Sequence, residues 1–120
     1  MSTTLKDSIL ALRSRLKVEA VKVDGLEEPV FVRTLTGRER DGFETACFVQ
    51  KGKQRTLNTE NIRAKLLVRA ICDKDGARVF TDNDTDALGD IPASALDALF
   101  SVAQRLSGLS SEDVEEMAGN

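Results

Sequence analysis

The sequence predicts an α+β fold, a small single domain that is mostly helical and carries one antiparallel β-hairpin. Apolar residues recur at helical spacing in several segments, and two short β-rich runs follow one another early in the chain. The length of 120 residues suits one domain spanning 1–120. Because 41% of the residues are hydrophobic, such a domain can bury a core without disulfides or metals.

The first element is expected to be a helix within residues 1–17. Thr4 is placed to accept a hydrogen bond from the first turn, and Asp7 follows three residues later. The apolar stripe of this helix consists of Leu5, Ile9, Leu12 and Leu16. A stripe of this kind indicates either a helix docked on the core or an arm that binds a partner.

Two β-rich runs, 18–23 and 30–35, predict an antiparallel hairpin. Asp24 and Gly25 form a turn signal after the first run. Pro29 stands before the second run, where its missing N–H costs least. Two strands alone are marginally stable in water, so we expect helices to cover one face of the hairpin.

Thr36 and Glu39 have the spacing of a capping box, which predicts a helix that continues to about Gln50. Its inward residues are expected to be Phe43, Ala46 and Cys47. A basic loop over residues 51–55 then interrupts the helix, because it contains Gly52. The charged residues of this loop are Lys51, Lys53 and Arg55.

Asn58 or Thr59 is suited to cap the next helix. The broad apolar face of that helix comprises Ile62, Leu66, Leu67, Ala70 and Ile71. The segment 73–76 has the composition of a turn, and residues 78–80 have that of a short extended piece.

Thr81 or Asp82 is expected to cap a brief acidic helix that ends near Gly89. Pro92 fits the first turn of a longer helix, and Gly108 ends it. The apolar stripe of the longer helix comprises Leu96, Leu99, Phe100, Ala103 and Leu106. A last short acidic helix is expected within residues 110–120, with Ser110 as its cap.

The residues available for chemistry predict a protein that is not an enzyme and needs no cofactor. The chain has no histidine, which excludes Ser–His and Cys–His pairs as well as the commonest general base. The glycines are isolated, so a glycine-rich phosphate loop is excluded too. Cys47 and Cys72 lie far apart in apolar stretches and are expected to be buried thiols, with no metal bound.

One acidic segment has part of the pattern of a calcium-binding loop. The aspartates at its first, third and fifth positions are Asp82, Asp84 and Asp86. The sixth position should be glycine and is Ala87, and the twelfth should be glutamate and is Ala93. The segment is therefore interpreted as a capped acidic turn.

Charge is divided unevenly along the chain. The first 60 residues hold 11 basic and 9 acidic side chains, whereas the last 60 hold 6 and 11. Such a division favours head-to-tail association between copies. The basic loop 51–55 leaves an alternative open, a small nucleic-acid-binding regulatory protein, although no aromatic residue is interleaved to stack on bases.

No part of the sequence has the pattern of a membrane or secretory segment. Charged side chains interrupt the apolar residues between Leu5 and Leu16, so a signal-peptide core is missing. No apolar run approaches the roughly 20 residues that span a bilayer. We therefore expect a cytoplasmic protein.

Several segments are similar, in order and spacing, to one known family. They are 33–40, 43–44, 65–76, 79–82, 87–89, 95–100 and 105–109. Across about residues 30–116 the chain resembles the tail assembly chaperones of long-tailed (siphovirus-type) bacteriophages and their prophages. The resemblance implies a small, mostly helical domain that is prone to self-assembly, coats the helical tape measure protein and performs no catalysis.

The resemblance also implies further partners and a place of action. In this family a longer form, made by ribosomal frameshifting, recruits the tail tube protein through its added segment. The protein is expected to act in the cytoplasm of the host bacterium and to be absent from the mature virion. The candidate client surfaces are the stripe of the first helix and the face that carries Ile62 and Leu66, each of which has ordinary core packing as its alternative.

Overall fold

The computed structural model describes residues 4–109 of the chain and confirms the α+β fold class. The helices are α1 (Leu5–Ala11), α2 (Gly37–Ala46), α3 (Ile62–Ala70), α4 (Thr85–Gly89) and α5 (Ala93–Leu106). The strands are β1 (Val18–Val21), β2 (Val30–Arg33), β3 (Phe48–Lys51), β4 (Gln54–Leu57) and β5 (Ile71–Cys72). Short 3-10 turns cover Leu12–Ser14 and Asp82–Asp84. The helix expected within 110–120 lies outside the described residues.

The predicted hairpin forms, and it belongs to a three-stranded antiparallel sheet of order β1-β2-β5. Val18 is paired with Arg33 at one end of the hairpin, and Val21 with Val30 at the other. β5 was not expected, because Ile71 had been assigned to the face of the preceding helix. α3 instead ends at Ala70, and the chain passes directly into β5, which pairs with β2.

The region after α2 differs from the prediction. The predicted helix to Gln50 and the predicted basic loop 51–55 are both wrong, because α2 ends at Ala46 and the chain forms a second antiparallel hairpin, β3–β4. Phe48 and Val49 favour a strand more than a helix. Gly52 has a φ of 61°, the left-handed conformation that tight hairpin turns need and that glycine adopts at little cost.

The core is built around α3, whose residues Ala64, Leu66, Leu67 and Val68 are fully buried. α2, α4 and α5 pack against α3. From α2, Phe43 is the largest fully buried side chain of the described residues. The stripe predicted for α5 is buried at Leu96, Leu99 and Ala103, whereas Phe100 and Leu106 are partly buried at its edge.

Side-chain caps are present at the starts of α1 and α2, as the sequence predicted. Thr4 accepts a hydrogen bond from the Asp7 amide at 3.0 Å, and Thr36 with Glu39 forms the predicted capping box. The predicted cap of α3, Asn58 or Thr59, is wrong. The residue at the start of α3 is Asn61, which has the left-handed conformation and makes no capping hydrogen bond with its side chain. None of the described helices is long and apolar enough to cross a membrane.

A buried ion pair joins the sheet to α2. Arg33 of β2 is 6% exposed, and its guanidinium donates two hydrogen bonds to Glu39, at 2.7 and 2.8 Å. The same guanidinium donates to the carbonyls of Thr34 and Gly76. Glu39 therefore caps α2 and neutralises a buried cation at the same time.

Candidate partner-binding surfaces

The N-terminal helix α1 is an exposed arm. Its three stripe residues Leu5, Ile9 and Leu12 are 77%, 54% and 57% exposed, and no residue of α1 is buried. The fourth stripe residue, Leu16, follows the 3-10 turn and is half-buried. The stripe is therefore not docked on the core of its own chain, and its role as an arm that binds a partner stays a prediction.

The arm has features that favour a partner. A helix of this length is marginal in water without packing, because helix nucleation is costly. Its apolar stripe is not buried against the other described residues of the same chain. The end of the arm is fixed, since the Lys17 amide donates to Thr34 Oγ1 at 3.2 Å and the Lys17 carbonyl accepts from the Thr34 amide at 3.0 Å.

The apolar face of α3 belongs to the core. Leu66 is fully buried, and Ile62 is partly buried and packed against the core residues. The sequence left client binding and core packing open for this face. The structure shows core packing, and because a buried side chain cannot contact a client, Leu66 is removed from the candidate surfaces.

The basic residues Lys51, Lys53 and Arg55 are exposed on the β3–β4 hairpin. The Arg55 guanidinium carbon lies 4.1 Å from the centre of the Phe48 ring, the distance of a cation–π contact. This contact holds Arg55 against its own hairpin. The hairpin thus presents a small basic surface in place of the predicted basic loop.

An apolar groove, which the sequence reasoning missed, lies between the β1–β2 loop, the sheet and the start of α5. It has a volume of about 380 Å³, and all of its lining residues are apolar. Its rim includes Leu26 and Val79, which are 52% and 55% exposed. Its walls include Pro29, Phe31, Phe80 and Ile91. The available signal was the presence of Leu26 and Val79 within polar turns, where nothing local buries an apolar side chain.

The thiols are embedded in the interior. Cys47 is fully buried and Cys72 is 3% exposed, and both are free of disulfides. Burial raises the pKa of both thiols. Because the thiolate is the reactive form, neither cysteine is suited to nucleophilic chemistry at neutral pH. Both therefore act as small core residues, as the sequence predicted.

Two of the three aspartates of the acidic segment, Asp82 and Asp84, serve local structure. Asp84 accepts a hydrogen bond from the Thr81 amide at 2.8 Å, as in a capping box. Asp82 lies 2.6 Å from Arg78 and 3.5 Å from the buried Arg69. The hydrogen bond from Arg78 lowers the pKa of Asp82. The interpretation as a capped acidic turn is confirmed, and among residues 4–109 no group of acidic or cysteine side chains has the arrangement of a metal site.

A larger polar cleft lies between the start of α3 and α4. Two of its side chains bind backbone carbonyls: Asn61 donates to the Thr85 carbonyl at 3.1 Å, and Lys65 donates to the Asn58 carbonyl at 3.2 Å. The first of these hydrogen bonds joins the start of α3 to α4. The cleft therefore has a structural role in the arrangement of α3 and α4.

Comparison with known proteins identified one relationship. A family model described as phage tail assembly chaperone matches residues 4–120. No curated protein and no solved structure matches the chain.

Proposed function

Because the chain belongs to the phage tail assembly chaperone family, we propose that it binds the tape measure protein and holds it while the tail tube forms. This role needs no catalysis. The exposed apolar stripe of α1 is the observation that supports it best. An assembly chaperone needs apolar side chains that its own core does not use, either for the client or for contacts between copies, and the stripe residues are of this kind.

Self-association is part of the same proposal. A client much longer than one chaperone offers many binding segments, and copies that contact one another combine weak contacts into strong overall binding. The division of charge between the two halves of the chain favours such contacts. The partner-binding residues proposed here are Leu5, Ile9, Leu12 and Leu16.

Two further parts of the proposal follow from the family. A longer form of the protein, made by frameshifting, recruits the tail tube protein through its added segment. The protein acts in the cytoplasm of the host during assembly and is left out of the mature virion.

Co-expression with the tape measure protein of the same phage tests the main proposal. The tagged chaperone should co-purify with the tape measure protein and increase its soluble fraction. A coiled-coil protein of similar length is the control client, and it should not co-purify. If the tape measure protein precipitates equally with and without the chaperone, and none co-purifies, the proposed function is wrong.

The alternative, a nucleic-acid-binding regulatory protein, is less well supported. The three cations of the β3–β4 hairpin can hold only a few phosphates, and Arg55 is stacked on Phe48. A gel shift with duplex and single-stranded DNA or RNA distinguishes the two functions. Binding that persists at physiological salt and is lost when Lys51, Lys53 and Arg55 are replaced by alanine would favour the alternative.

A further inference from the structure

The described residues contain two apolar surfaces, the stripe of the α1 arm and the apolar groove beside the β1–β2 loop. We propose that the arm of one copy lies in the apolar groove of the next copy. This inference rests on the self-association in the proposed function, and it identifies the two surfaces that make the contact.

The two surfaces match in polarity, since both are apolar. Leu5, Ile9 and Leu12 are spaced by four and three residues, so they lie along one face of the helix. An amphipathic helix of this kind binds proteins by placing such a face in an apolar groove. Every residue that lines the groove is apolar, and the exposed Leu26 and Val79 at its rim would be covered by the arriving helix.

Charges around the two surfaces are opposite in sign. The basic residues at the end of the arm are Arg13, Arg15 and Lys17. The acidic residues of the loop beside the groove are Asp24, Glu27 and Glu28. All six side chains are exposed, and none of the three basic ones pairs with a carboxylate of the described residues. Opposite charges at the rim of an apolar contact fix its orientation and accelerate its formation.

The position of the arm favours a neighbouring copy over its own groove. The two hydrogen bonds between Lys17 and Thr34 hold the base of the arm at the Val18 end of the hairpin. The groove lies at the opposite end, beside Val30 and the loop that follows Val23. The arm does not occupy its own groove, because Leu5, Ile9 and Leu12 are exposed.

The contact would be heterologous, because each copy donates one arm and accepts another. Such contacts repeat from copy to copy and form either a closed ring or an open helical array. An open array is suited to a client that is much longer than one chaperone. The geometry of the contact therefore connects self-association to the proposed function.

Surface variants of the full chain test the arm and the groove separately. The arm variant combines Leu5→Ser, Ile9→Ser and Leu12→Ser, and the groove variant combines Leu26→Glu and Val79→Glu. Leu10→Ser is the matched control, because Leu10 is 49% exposed on a different side of α1. Sedimentation velocity should show loss of the assembled species for the arm and groove variants, and no loss for Leu10→Ser. Circular dichroism melts confirm that each variant is folded.

A mixture of the two defective variants gives the sharper result. The arm variant retains its groove and the groove variant retains its arm, so equal amounts should form a heterodimer that grows no further. The inference is overturned if the folded arm variant assembles like the unmodified protein, if the mixture stays monomeric, or if the unmodified protein is itself a monomer. Co-purification of monomeric variants with the tape measure protein would leave the proposed function in place while this contact is rejected.

A direct role of the stripe in client binding gives a different outcome. In that case the arm variant would lose the tape measure protein and keep its assembled species. That result would overturn the arm-and-groove contact and assign the stripe to the client.

Discussion

At the scale of single residues, the ion pair of Arg33 and Glu39 connects three parts of the fold. Arg33 contacts Glu39 of α2 and the carbonyl of Gly76, so a single guanidinium joins β2, α2 and the turn after β5. Replacing either partner by an uncharged residue would leave the other charge buried and unpaired, which is strongly destabilising. The packing of α2 against the sheet therefore depends on the charges of Arg33 and Glu39.

The pH dependence of stability should reveal this ion pair. Burial raises the pKa of Glu39, but the hydrogen bonds from Arg33 and Thr36 outweigh burial, so the pKa lies below the ordinary 4.5. The ionised carboxylate therefore stabilises the fold above pH 4.5, and this contribution is lost as the pH falls through the folded-state pKa. Urea unfolding of the parent and of Glu39→Gln should show a clear difference at pH 7 that shrinks on acidification. An equal difference at all pH values would contradict this assignment.

Gly89 occupies a position where no larger residue fits. A Cβ atom built there would overlap the side-chain amide of Asn61, which holds the Thr85 carbonyl. We expect Gly89→Ala to lower the free energy of unfolding by about 1–3 kcal/mol, the usual cost of overpacking. Gly37→Ala is the control, because open space surrounds Gly37 and its backbone is helical.

The Gly89 prediction has a rescue test. Asn61 has a φ of 58°, a conformation that glycine accepts readily, so Asn61→Gly removes the overlapping amide without straining the backbone. In thermal melts the double variant should lose less stability than the two single variants added together. Simple additivity would show that the two residues do not clash.

At the scale of elements, α5 is amphipathic, with its buried stripe on α3 and its exposed side in solvent. Leu99 is 3% exposed near its middle, whereas Phe100 lies partly exposed at the edge of the stripe. Leu99→Ala should therefore cost about 2–5 kcal/mol, and Phe100→Ala should cost less than the roughly 3–5 kcal/mol of a fully buried phenylalanine. Chemical denaturation measures both variants. A larger loss for Phe100→Ala would show that the apolar face of α5 is rotated from its position here.

The sequence predicted elements well where their local signals and their tertiary roles agree. Thr4 and Thr36 marked helix starts, and the β1–β2 hairpin followed from its two β-rich runs and their turn. The β3–β4 hairpin was missed because its strands are mostly exposed and lack apolar alternation. Gly52-Lys53 between two β-capable runs was the local signal that could have revealed it.

The candidate partner-binding surfaces could be predicted only in part, because tertiary packing decides which apolar faces are exposed. The stripe of α1 and the face of α3 have the same helical periodicity, so periodicity alone could not separate an exposed arm from core. Tertiary packing separates them, since α3 is surrounded by α2, α4 and α5. The apolar groove could not be predicted, because its walls come from segments far apart in sequence, such as Pro29, Val79 and Ile91.

At the scale of the whole molecule, the packed core and the α1 arm lie in different places. α3, α5 and the three-stranded sheet provide the core, whereas α1 contributes no buried residue. Substitutions in the arm should therefore change association without changing the melting temperature. This separation makes the arm variant informative, because its loss of assembly cannot be attributed to loss of the fold.

The arrangement of charge predicts how assembly responds to salt. If the basic end of the arm meets the acidic loop of a neighbouring copy, screening should weaken association as sodium chloride rises, since the Debye length falls from about 10 Å at 0.1 M to about 3 Å at 1 M. Burial of the apolar stripe is not screened, so assembly should weaken without disappearing. Sedimentation equilibrium over this salt range gives the dissociation constant at each salt concentration.

Replacing Glu27 and Glu28 by glutamine should flatten the salt dependence of association, because these exposed carboxylates lie beside the groove. The control replaces Asp41 and Glu60 by the corresponding amides. These residues are exposed elsewhere, so the replacement removes the same charge and should leave the salt dependence of the dissociation constant unchanged. If both double variants have the same salt dependence of association, net charge governs that dependence and this contact does not.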